Sequence, residues 1–269
     1  MKLACSSQIA PGESFLEKFN SMAKFGFDGM EIRLLAEEDL QAKINEILKA
    51  SKDTGIKPSS LLMPSEAFRR PLVDQEALEA KIEHVKKAAW VAGQLNCPTL
   101  ICPEYGYQNP LPLFSSPKRY SDYEWKLFLE LISSAEVAAK KYDTIVLLEP
   151  INRYETHYNH RLEDAVELIK IAGTERIKIL ADFFHMNIEE ASITDAIMNA
   201  GSYIGHVHLG DNNRLLPGQG STDFTSGFKA LQKVGYQGFL ALECIIPENL
   251  DIELSECVRF LRQCILESK

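Results

Sequence analysis

Short apolar segments rich in β-branched residues recur along the whole chain and alternate with stretches of helical periodicity. Apolar runs of four to eight residues are typical of β-strands, and apolar positions three and four residues apart are typical of helices that cover a sheet. The pattern predicts eight strands, with the sequences KLACSS, DGMEIR, IKPSSLLMP, CPTLICP, TIVLLEP, IKILADF, YIGHVHL and GFLALEC. A helical segment is predicted after each strand.

Two of the predicted helices show a clear apolar stripe. The first stripe consists of Leu78, Ile82, Val85, Ala89 and Ala92, and the second of Trp125, Phe128, Ile132, Ala135 and Ala139. Glycines in KFGFDGM, IAGTERI and KVGYQGF are expected at helix C-termini, because glycine adopts the left-handed conformation without strain.

Eight β/α units in a chain of 269 residues is the content of a (β/α)₈ TIM barrel. We therefore predict an α/β fold of this type, with residues 1–269 forming a single domain. The rival fold is an open, doubly wound sheet. The absence of G-x-G-x-x-G after the first strand argues only against the nucleotide-binding version of that rival.

Composition and charge narrow the classes of partner. The formal net charge is −9 and no basic cluster is present, which argues against a nucleic-acid partner. No apolar run approaches the roughly 18 residues of a membrane span, and MKLACSSQ does not contain a signal-peptide core. We expect a cytoplasmic protein without a membrane partner. The six cysteines lack C-x-x-C pairs and are expected to be buried free thiols.

Four polar residues lie at the ends of the last four predicted strands, namely Glu149, Asp182, His208 and Glu243. The active site of a TIM barrel is formed where the strands end. Three converging carboxylates would raise the pKa of at least one of them, whereas a divalent cation would neutralise them and take all four groups as ligands. We predict one divalent metal ion per barrel. Mn²⁺ is the first candidate, followed by Mg²⁺, Co²⁺ and Zn²⁺.

The same residues have less specific interpretations. Glu149 or Glu243 alone could pair with an interior lysine such as Lys178. His206 lies one layer deeper than His208 and is expected to support it or to belong to the core. No role is predicted for the other histidines, His84, His157 and His160.

The segments LEPINRYE, DFFHMNIEE, GHVHLGDNNRLLPGQG and ALEC resemble the xylose-isomerase-like superfamily of sugar isomerases and epimerases. The resemblance is greatest to ketose 3-epimerases of the D-tagatose or D-psicose 3-epimerase type, and it covers about residues 145–245. It implies that Glu149 and Glu243 are the acid/base residues as well as metal ligands together with Asp182 and His208. It also implies three substrate-binding residues, Glu155, His185 and Arg214.

The function implied by this resemblance is metal-dependent interconversion of ketoses at C3 through a metal-stabilised cis-enediolate. Inversion requires removal of a proton from one face of the carbon and delivery of another to the opposite face, which needs two carboxyl groups. An aldose–ketose or hydroxypyruvate-type isomerase and a keto-inositol dehydratase could use the same metal site. The expected partner is a small sugar, and a homo-oligomer, dimer or tetramer, remains open.

The sequence departs from the ketose 3-epimerase pattern where aromatic side chains are expected around the sugar. The first βα loop, SSQIAPG, has none, and Ile245 and Ile246 follow Glu243. Only the fourth loop, PEYGYQNPLPLF, offers Tyr105, Tyr107 and Phe114. The identity of the sugar is therefore the least determined part of the prediction.

Overall fold

Eight parallel strands pair in chain order and close into a barrel, with β8 beside β1. The computed structural model describes residues 1–106, 108, 110–114, 116, 118–245 and 248–269. The strands are β1 (Lys2–Ser6), β2 (Gly29–Arg33), β3 (Lys57–Leu62), β4 (Thr99–Ile101), β5 (Val146–Leu148), β6 (Ile177–Asp182), β7 (Ile204–Leu209) and β8 (Phe239–Leu242). The predicted (β/α)₈ TIM barrel is confirmed.

Helices follow the strands and surround the barrel. They are α1 (Phe15–Phe25), α2 (Leu40–Thr54), α3 (Glu66–Arg69), α4 (Gln75–Leu95), α5 (Asp122–Lys141), α6 (Leu162–Ala172), α7 (Phe183–Glu189), α8 (Ile193–Ala200), α9 (Phe224–Lys233) and α10 (Leu250–Glu267), with a 3₁₀ turn at Gly201–Tyr203. Gly26 and Gly173 cap α1 and α6 with φ of 84° and 63°. The predicted glycine caps therefore hold at both positions.

Two apolar layers stabilise the barrel. The larger one lies between the outer faces of the strands and the helices, and includes most of the two predicted helical stripes. Leu100, Leu147 and Leu180 form a separate small cluster from β4, β5 and β6. This cluster is separate from the layer under the helices, so we assign it to the inner face of the barrel. Because side chains alternate along a strand, Glu149, two residues after Leu147, lies on the same face. The interior cluster thus forms an apolar floor beneath the strand ends.

The cysteines and the helices bear on two further expectations. All six cysteines are free thiols; five are buried and Cys244 is half-buried. Across the part of the chain that the structure describes, no helix combines the length and the apolar character needed to cross a membrane.

Candidate active site

Four ionisable side chains meet at the carboxyl-terminal end of the barrel. Glu149 directly follows β5, Asp182 ends β6, His208 lies near the end of β7, and Glu243 directly follows β8. One ligand atom from each lies within 4.8 Å of those of the other three. The strand register contributes to this arrangement, because Asp182 pairs with His208 across β6 and β7. The four residues predicted from the strand ends are brought together.

The imidazole of His208 faces both glutamates through the same ring nitrogen. Its Nδ1 atom is 3.3 Å from Oε2 of Glu243 and 3.6 Å from Oε1 of Glu149. The side chains of His208 and Glu149 are buried, whereas a quarter of the Glu243 side chain is exposed. Since the glutamates come from the ends of β5 and β8, they reach the same imidazole from separate strands of the barrel.

Arg214 supplies positive charge to the same cluster. Its Nη1 atom donates to Oδ2 of Asp182 at 2.7 Å, and its Nη2 atom donates to Oε2 of Glu243. The guanidinium also lies over the ring of Phe184, 4.4 Å from the ring centre. Arg214, predicted to bind substrate, therefore contacts two of the predicted metal ligands, and it compensates their charge in this structure.

The environment separates the proton affinities of the two glutamates. Burial raises the pKa of Glu149, and the neighbouring Glu243 adds to the effect. Burial acts in the same direction on Glu243, but the positive charges of His208 and Arg214 outweigh it and lower the pKa of that carboxyl. Two carboxyl groups whose environments push their pKa values apart are suited to opposite proton-transfer roles.

The donor set fits a divalent metal ion. Within the described ranges, Oε1 of Glu149 and Nδ1 of His208 are buried and have no hydrogen-bond partner. Buried polar atoms are rarely left without a partner, so this pair of atoms calls for an explanation. Three carboxylates and one imidazole are the ligands that a hard or borderline divalent cation prefers. Both unpartnered atoms belong to the predicted ligand set.

Glu31 on β2 supports His208 from the side opposite to the glutamates, and it was not among the residues predicted from the sequence. Its Oε2 atom is 2.7 Å from Nε2 of His208 and accepts a 2.8 Å hydrogen bond from Oγ of Ser60. Glu31 is fully buried. The sequence signal was present in DGMEIR, where a carboxylate lies within a predicted strand, just as Asp182 lies at the end of the apolar run of β6.

Lys178 and His206 were given less specific interpretations, and their contacts differ. Lys178 directs its ammonium group to the backbone carbonyl of Ser202, at 3.2 Å, so its pairing with Glu149 or Glu243 is wrong. His206 lies beneath His208 and contacts Oγ of Ser60 at 3.2 Å. That position agrees with the expected supporting or core role.

The loop after β7 is organised by Asp211. The carboxylate of this buried residue accepts hydrogen bonds from four backbone N–H groups, those of Asn212, Gly218, Gly220 and Thr222. A Cβ atom at Gly220 would collide with the Asp211 carboxylate, so the close approach requires glycine there. The loop also places Arg214 at a φ of 63°. The D-N-N-R-x-x-P-G-x-G sequence thus forms a loop whose hydrogen bonds to Asp211 fix the backbone around Arg214.

The other two predicted substrate-binding residues, His185 and Glu155, have different contacts. Nε2 of His185 is 3.6 Å from Oδ2 of Asp182 and 4.0 Å from Oε1 of Glu149. Glu155, in the loop after β5, accepts a 2.9 Å hydrogen bond from the side chain of Asn152. The structure therefore places His185 at the cluster. Glu155 is linked to His185 through the side chain of Asn152, which contacts both residues.

His157, to which no role was assigned, fixes this loop. Its Nδ1 is 2.7 Å from Oε2 of Glu104, in the loop after β4, and its Nε2 is 3.1 Å from Oε1 of Glu124 on α5. The loop is also held by Arg153, which donates to both carboxylate oxygens of Glu189 on α7. Both contacts flank Glu155 in sequence and restrict where the loop can lie.

Two of the three aromatic side chains of the fourth loop, Tyr105 and Phe114, belong to the described residues, and their surroundings differ. Tyr105 packs against Phe68, with ring centres 6.1 Å apart, and burial raises its pKa. Phe114 is fully exposed and Ile245 is largely exposed. Tyr107 and Ile246 lie outside the described residues.

A closed (β/α)₈ barrel with carboxylates and a histidine at its strand ends has the active-site position of TIM-barrel enzymes and a donor set suited to metal-assisted catalysis. A sequence model described as "Xylose isomerase-like TIM barrel" matches residues 19–264. The chain belongs to this family, and the resemblance inferred from the sequence is confirmed.

Individual relatives support the same assignment. The chain is 30% identical over 269 residues to 3-dehydro-D-guloside 4-epimerase of Escherichia coli (strain K12), covering 98% of this chain and 100% of the relative. It is 29% identical over 246 residues to D-psicose 3-epimerase of Enterocloster bolteae, covering 90% and 79%. The crystal structure of 3-keto-D-glucoside 4-epimerase from E. coli superposes with a TM-score of 0.87 at 29% identity, covering 98% and 100%. The predicted enzyme class, an isomerase acting on carbohydrates, is confirmed.

Proposed function

We propose that the protein is a metal-dependent sugar epimerase that inverts the carbon next to a keto group, with the whole chain acting as one domain. The observation that carries the proposal is the pair of glutamates, Glu149 and Glu243, which come from separate strands and both face Nδ1 of His208 at the barrel mouth. A pair of carboxyl groups from separate strands suits removal and return of a proton on opposite faces of one carbon.

The residues that would hold the metal ion are Glu149, Asp182, His208 and Glu243. Mn²⁺ is the preferred candidate, with Mg²⁺, Co²⁺ and Zn²⁺ as alternatives, because the set has three oxygen donors and one nitrogen donor. When bound, a divalent cation supplies positive charge that stabilises the negative oxygen formed when a proton leaves the neighbouring carbon. The buried, unpartnered atoms of Glu149 and His208 support this choice of residues.

The proposed proton transfers belong to the two glutamates. One carboxylate takes the hydrogen of the carbon next to the ketone as a proton, and the other, in its carboxylic acid form, gives a proton to the opposite face. The substrate thus loses one proton and gains another, and its configuration is inverted without a change in composition. The origin of the two carboxyl groups at the ends of separate strands, β5 and β8, supports this division of work.

Three further residues are proposed to orient the sugar. His185 and Arg214 donate hydrogen bonds to the substrate oxygens next to the reacting carbon, and Glu155 accepts one from a hydroxyl group. Arg214 already lies against Asp182 and Glu243, and His185 faces Asp182. Their position beside the proposed metal ligands is what supports these roles.

Two substrate classes use this chemistry. The first is a free ketose, inverted at C3, as the motifs around Glu149 and His208 imply. The second is a glycoside that carries a keto group at C3 and is inverted at C4. The second is favoured by the 30% identity over the full length of a guloside 4-epimerase and by the TM-score of 0.87 with a glucoside 4-epimerase. The aromatic-free first loop also departs from the ketose pattern.

A substrate panel tests the proposal. The protein, freed of metal by chelation and then reloaded with Mn²⁺, is incubated with D-fructose, L-ribulose and a 3-keto-glucoside, each free and phosphorylated where available, and the products are identified by NMR. Inversion next to the keto group, dependent on added metal, is the expected result. Movement of the carbonyl to C1 would instead indicate an aldose–ketose isomerase, and loss of water would indicate a dehydratase.

A further inference from the structure

The side chain of Asn152, in the loop after β5, contacts two of the proposed substrate-binding residues. Its Nδ2 atom is 2.9 Å from Oε1 of Glu155 and 2.8 Å from Nδ1 of His185. Asn152 is only 1% exposed. Asn152 is not itself a proposed metal ligand, acid/base residue or substrate-binding residue, so its burial between two such side chains needs another explanation.

The orientation of this amide is fixed by groups with only one hydrogen-bonding role. The backbone N–H of Tyr154 donates to Oδ1 of Asn152 at 3.0 Å, and a backbone N–H cannot accept. The carboxylate of Glu155, on the other side, can only accept. The alternative amide orientation would place two donors together and two acceptors together. Nδ2 of Asn152 therefore faces Glu155 and His185.

The amide in turn determines which nitrogen of His185 carries the proton. Nδ1 of His185 faces two donors, the Nδ2 group of Asn152 at 2.8 Å and the backbone N–H of Asn152 at 3.4 Å. An atom that accepts from donors carries a lone pair, so the ring proton is on Nε2. Nε2 is the nitrogen that faces Asp182 and Glu149. His185 thus presents an N–H group to the site.

The two histidines of the site are held in opposite ways. His208 directs Nε2 to the carboxylate of Glu31 and Nδ1 to the glutamate pair. An acceptor behind the ring leaves a ligand nitrogen in front, whereas a donor behind the ring, as at His185, leaves an N–H group in front. The first arrangement suits metal binding and the second suits hydrogen bonding to a sugar oxygen.

We propose that Asn152 is a positioning residue that holds His185 in its Nε2–H tautomer and fixes the carboxylate of Glu155 beside it. The inference rests on the proposed function, because it takes His185 and Glu155 as contacts to the sugar. The amide of Asn152 then orients both residues, His185 as a hydrogen-bond donor to a substrate oxygen and Glu155 as an acceptor from a substrate hydroxyl.

Nitrogen-15 NMR of the imidazole rings in the full-length protein tests the tautomer without any substrate, and His185→Gln identifies the signal. In the wild type, His185 is expected to carry its proton on Nε2 and none on Nδ1. In Asn152→Asp, whose carboxylate can only accept, Nδ1 is expected to gain a proton. A wild-type His185 with its proton on Nδ1 overturns the proposal, whatever the activity of the protein and whether or not the variant folds.

Asn159 offers a matched control in the same loop. It is also buried, and within the described ranges both polar atoms of its side chain lack a hydrogen-bond partner. Asn159→Ala removes a buried amide without touching His185 or Glu155. The His185 signal is expected to be unchanged in this variant, and a change equal to that in Asn152→Asp would contradict a specific effect of Asn152.

Kinetics test the positioning role on a substrate that the panel shows to be converted. Asn152→Ala is expected to lower kcat by about 10- to 100-fold, the range typical of residues that orient a functional side chain, with Mn²⁺ affinity unchanged. The loss should be smaller in a His185→Gln background, because the two changes act through one side chain. Equal losses in both backgrounds overturn the proposal. If no sugar is converted, the proposed function fails, and the NMR result still decides the tautomer.

Discussion

Oε2 of Glu31 lies 2.7 Å from Nε2 of His208, and this contact determines which nitrogen of the imidazole faces the glutamate pair. A carboxylate accepts a hydrogen bond, so Nε2 carries a proton, and Nδ1 points to Glu149 and Glu243. Burial lowers the pKa of His208, but the charges of Glu31 and Glu243 outweigh it and raise that pKa. Binding of a cation at Nδ1 therefore requires release of a proton.

We expect Glu31→Gln to weaken metal binding while the barrel stays folded. The amide can present a donor to Nε2 of His208 and so move the ring proton to Nδ1, where it opposes a metal ion. The expected loss of Mn²⁺ affinity is about 10- to 100-fold, the usual cost of removing a residue that orients a ligand. Calorimetric titration of the chelator-treated protein measures it.

Three further variants serve as references for the Glu31→Gln result. His208→Ala is expected to abolish tight Mn²⁺ binding, and Asp182→Ala should do the same. Glu79→Gln, an exposed glutamate on α4, should bind Mn²⁺ like the wild type. Circular dichroism checks that each variant is folded. Unchanged affinity in Glu31→Gln would show that Glu31 does not orient His208.

Arg214 should stabilise the metal-free protein more than the metal-loaded one. Its guanidinium pairs with Asp182 and Glu243, and removing one partner of a buried ion pair costs about 3–5 kcal/mol. Because a fifth of the Arg214 side chain is exposed, we expect the lower end of that range for Arg214→Ala in the presence of a chelator. With Mn²⁺ bound, the carboxylates are compensated and the loss should shrink.

Urea unfolding of Arg214→Ala with chelator and with saturating Mn²⁺ measures this difference. Arg259→Ala, which removes an exposed arginine on α10, is the control and should lose little stability under either condition. An equal loss for Arg214→Ala with and without Mn²⁺ would mean that the arginine and the metal ion do not compensate the same charges.

Asp211 should make the stability of the protein depend on pH in the acidic range. Burial raises its pKa, but hydrogen bonds from Thr222 and other backbone groups of the loop outweigh it and lower that pKa. A carboxyl group with a lowered pKa stabilises the fold above its unfolded pKa, about 3.9 for aspartate. That stabilisation is lost as the pH falls through the folded value.

Asp211→Asn is therefore expected to lower the free energy of unfolding at neutral pH by about 1–3 kcal/mol, the cost of leaving buried N–H groups poorly paired. The difference from the wild type should narrow below a pH of about 4. Asp53→Asn, at an exposed position on α2, is the control. Urea unfolding across the acidic range measures both variants, and a difference that is constant with pH would argue against the lowered pKa.

The sequence predicts the barrel and the four central residues because both depend on local rules. Apolar runs mark the strands, and in a barrel their carboxyl ends meet, so a polar residue at the end of a run is placed at the mouth. Glu31, Asn152 and Asp211 were not predicted to support the site. Their roles depend on which atoms they face across the barrel and within loops, and no spacing along the chain encodes that.

The expected pairing of Lys178 with Glu149 or Glu243 was wrong, because the sequence does not determine where a long side chain points. Lys178 belongs to β6, as Asp182 does, so alternation alone left it as a partner for the interior glutamates. Its side chain instead reaches the carbonyl of Ser202, just before β7. Which end of the barrel a long, flexible side chain reaches depends on the packing around it, which the strand pattern does not contain.

Epimerisation by two glutamates predicts exchange with solvent. When the reaction is run in D₂O, the product should carry deuterium at the inverted carbon, because the group that returns the proton is not the one that removed it. Mass spectrometry and NMR of the product measure the incorporation, with chelator-treated protein as the control. Product that fully retains its original hydrogen would indicate direct transfer or hydride chemistry instead.

The last prediction separates the two tasks proposed for the glutamates. Glu149→Gln and Glu243→Gln each keep a carbonyl oxygen that can bind a metal ion, but neither side chain can take up a proton. General acid/base groups contribute about 10²–10⁴ in rate, and each substitution removes an obligatory transfer. We expect turnover to fall to that extent or further, and Mn²⁺ affinity, measured on the same preparations, to fall much less.

Solvent exchange should also distinguish one glutamate from the other. With one carboxylate intact, the epimer whose hydrogen faces it can still exchange that hydrogen with D₂O, although the opposite epimer is not formed. Glu149→Gln and Glu243→Gln should therefore each allow exchange into a different epimer of the same sugar, and Glu79→Gln should behave like the wild type. If both variants epimerise within about tenfold of the wild type, far less than the loss expected for such a group, neither glutamate is the base. If both allow exchange into the same epimer, the two glutamates do not act on opposite faces.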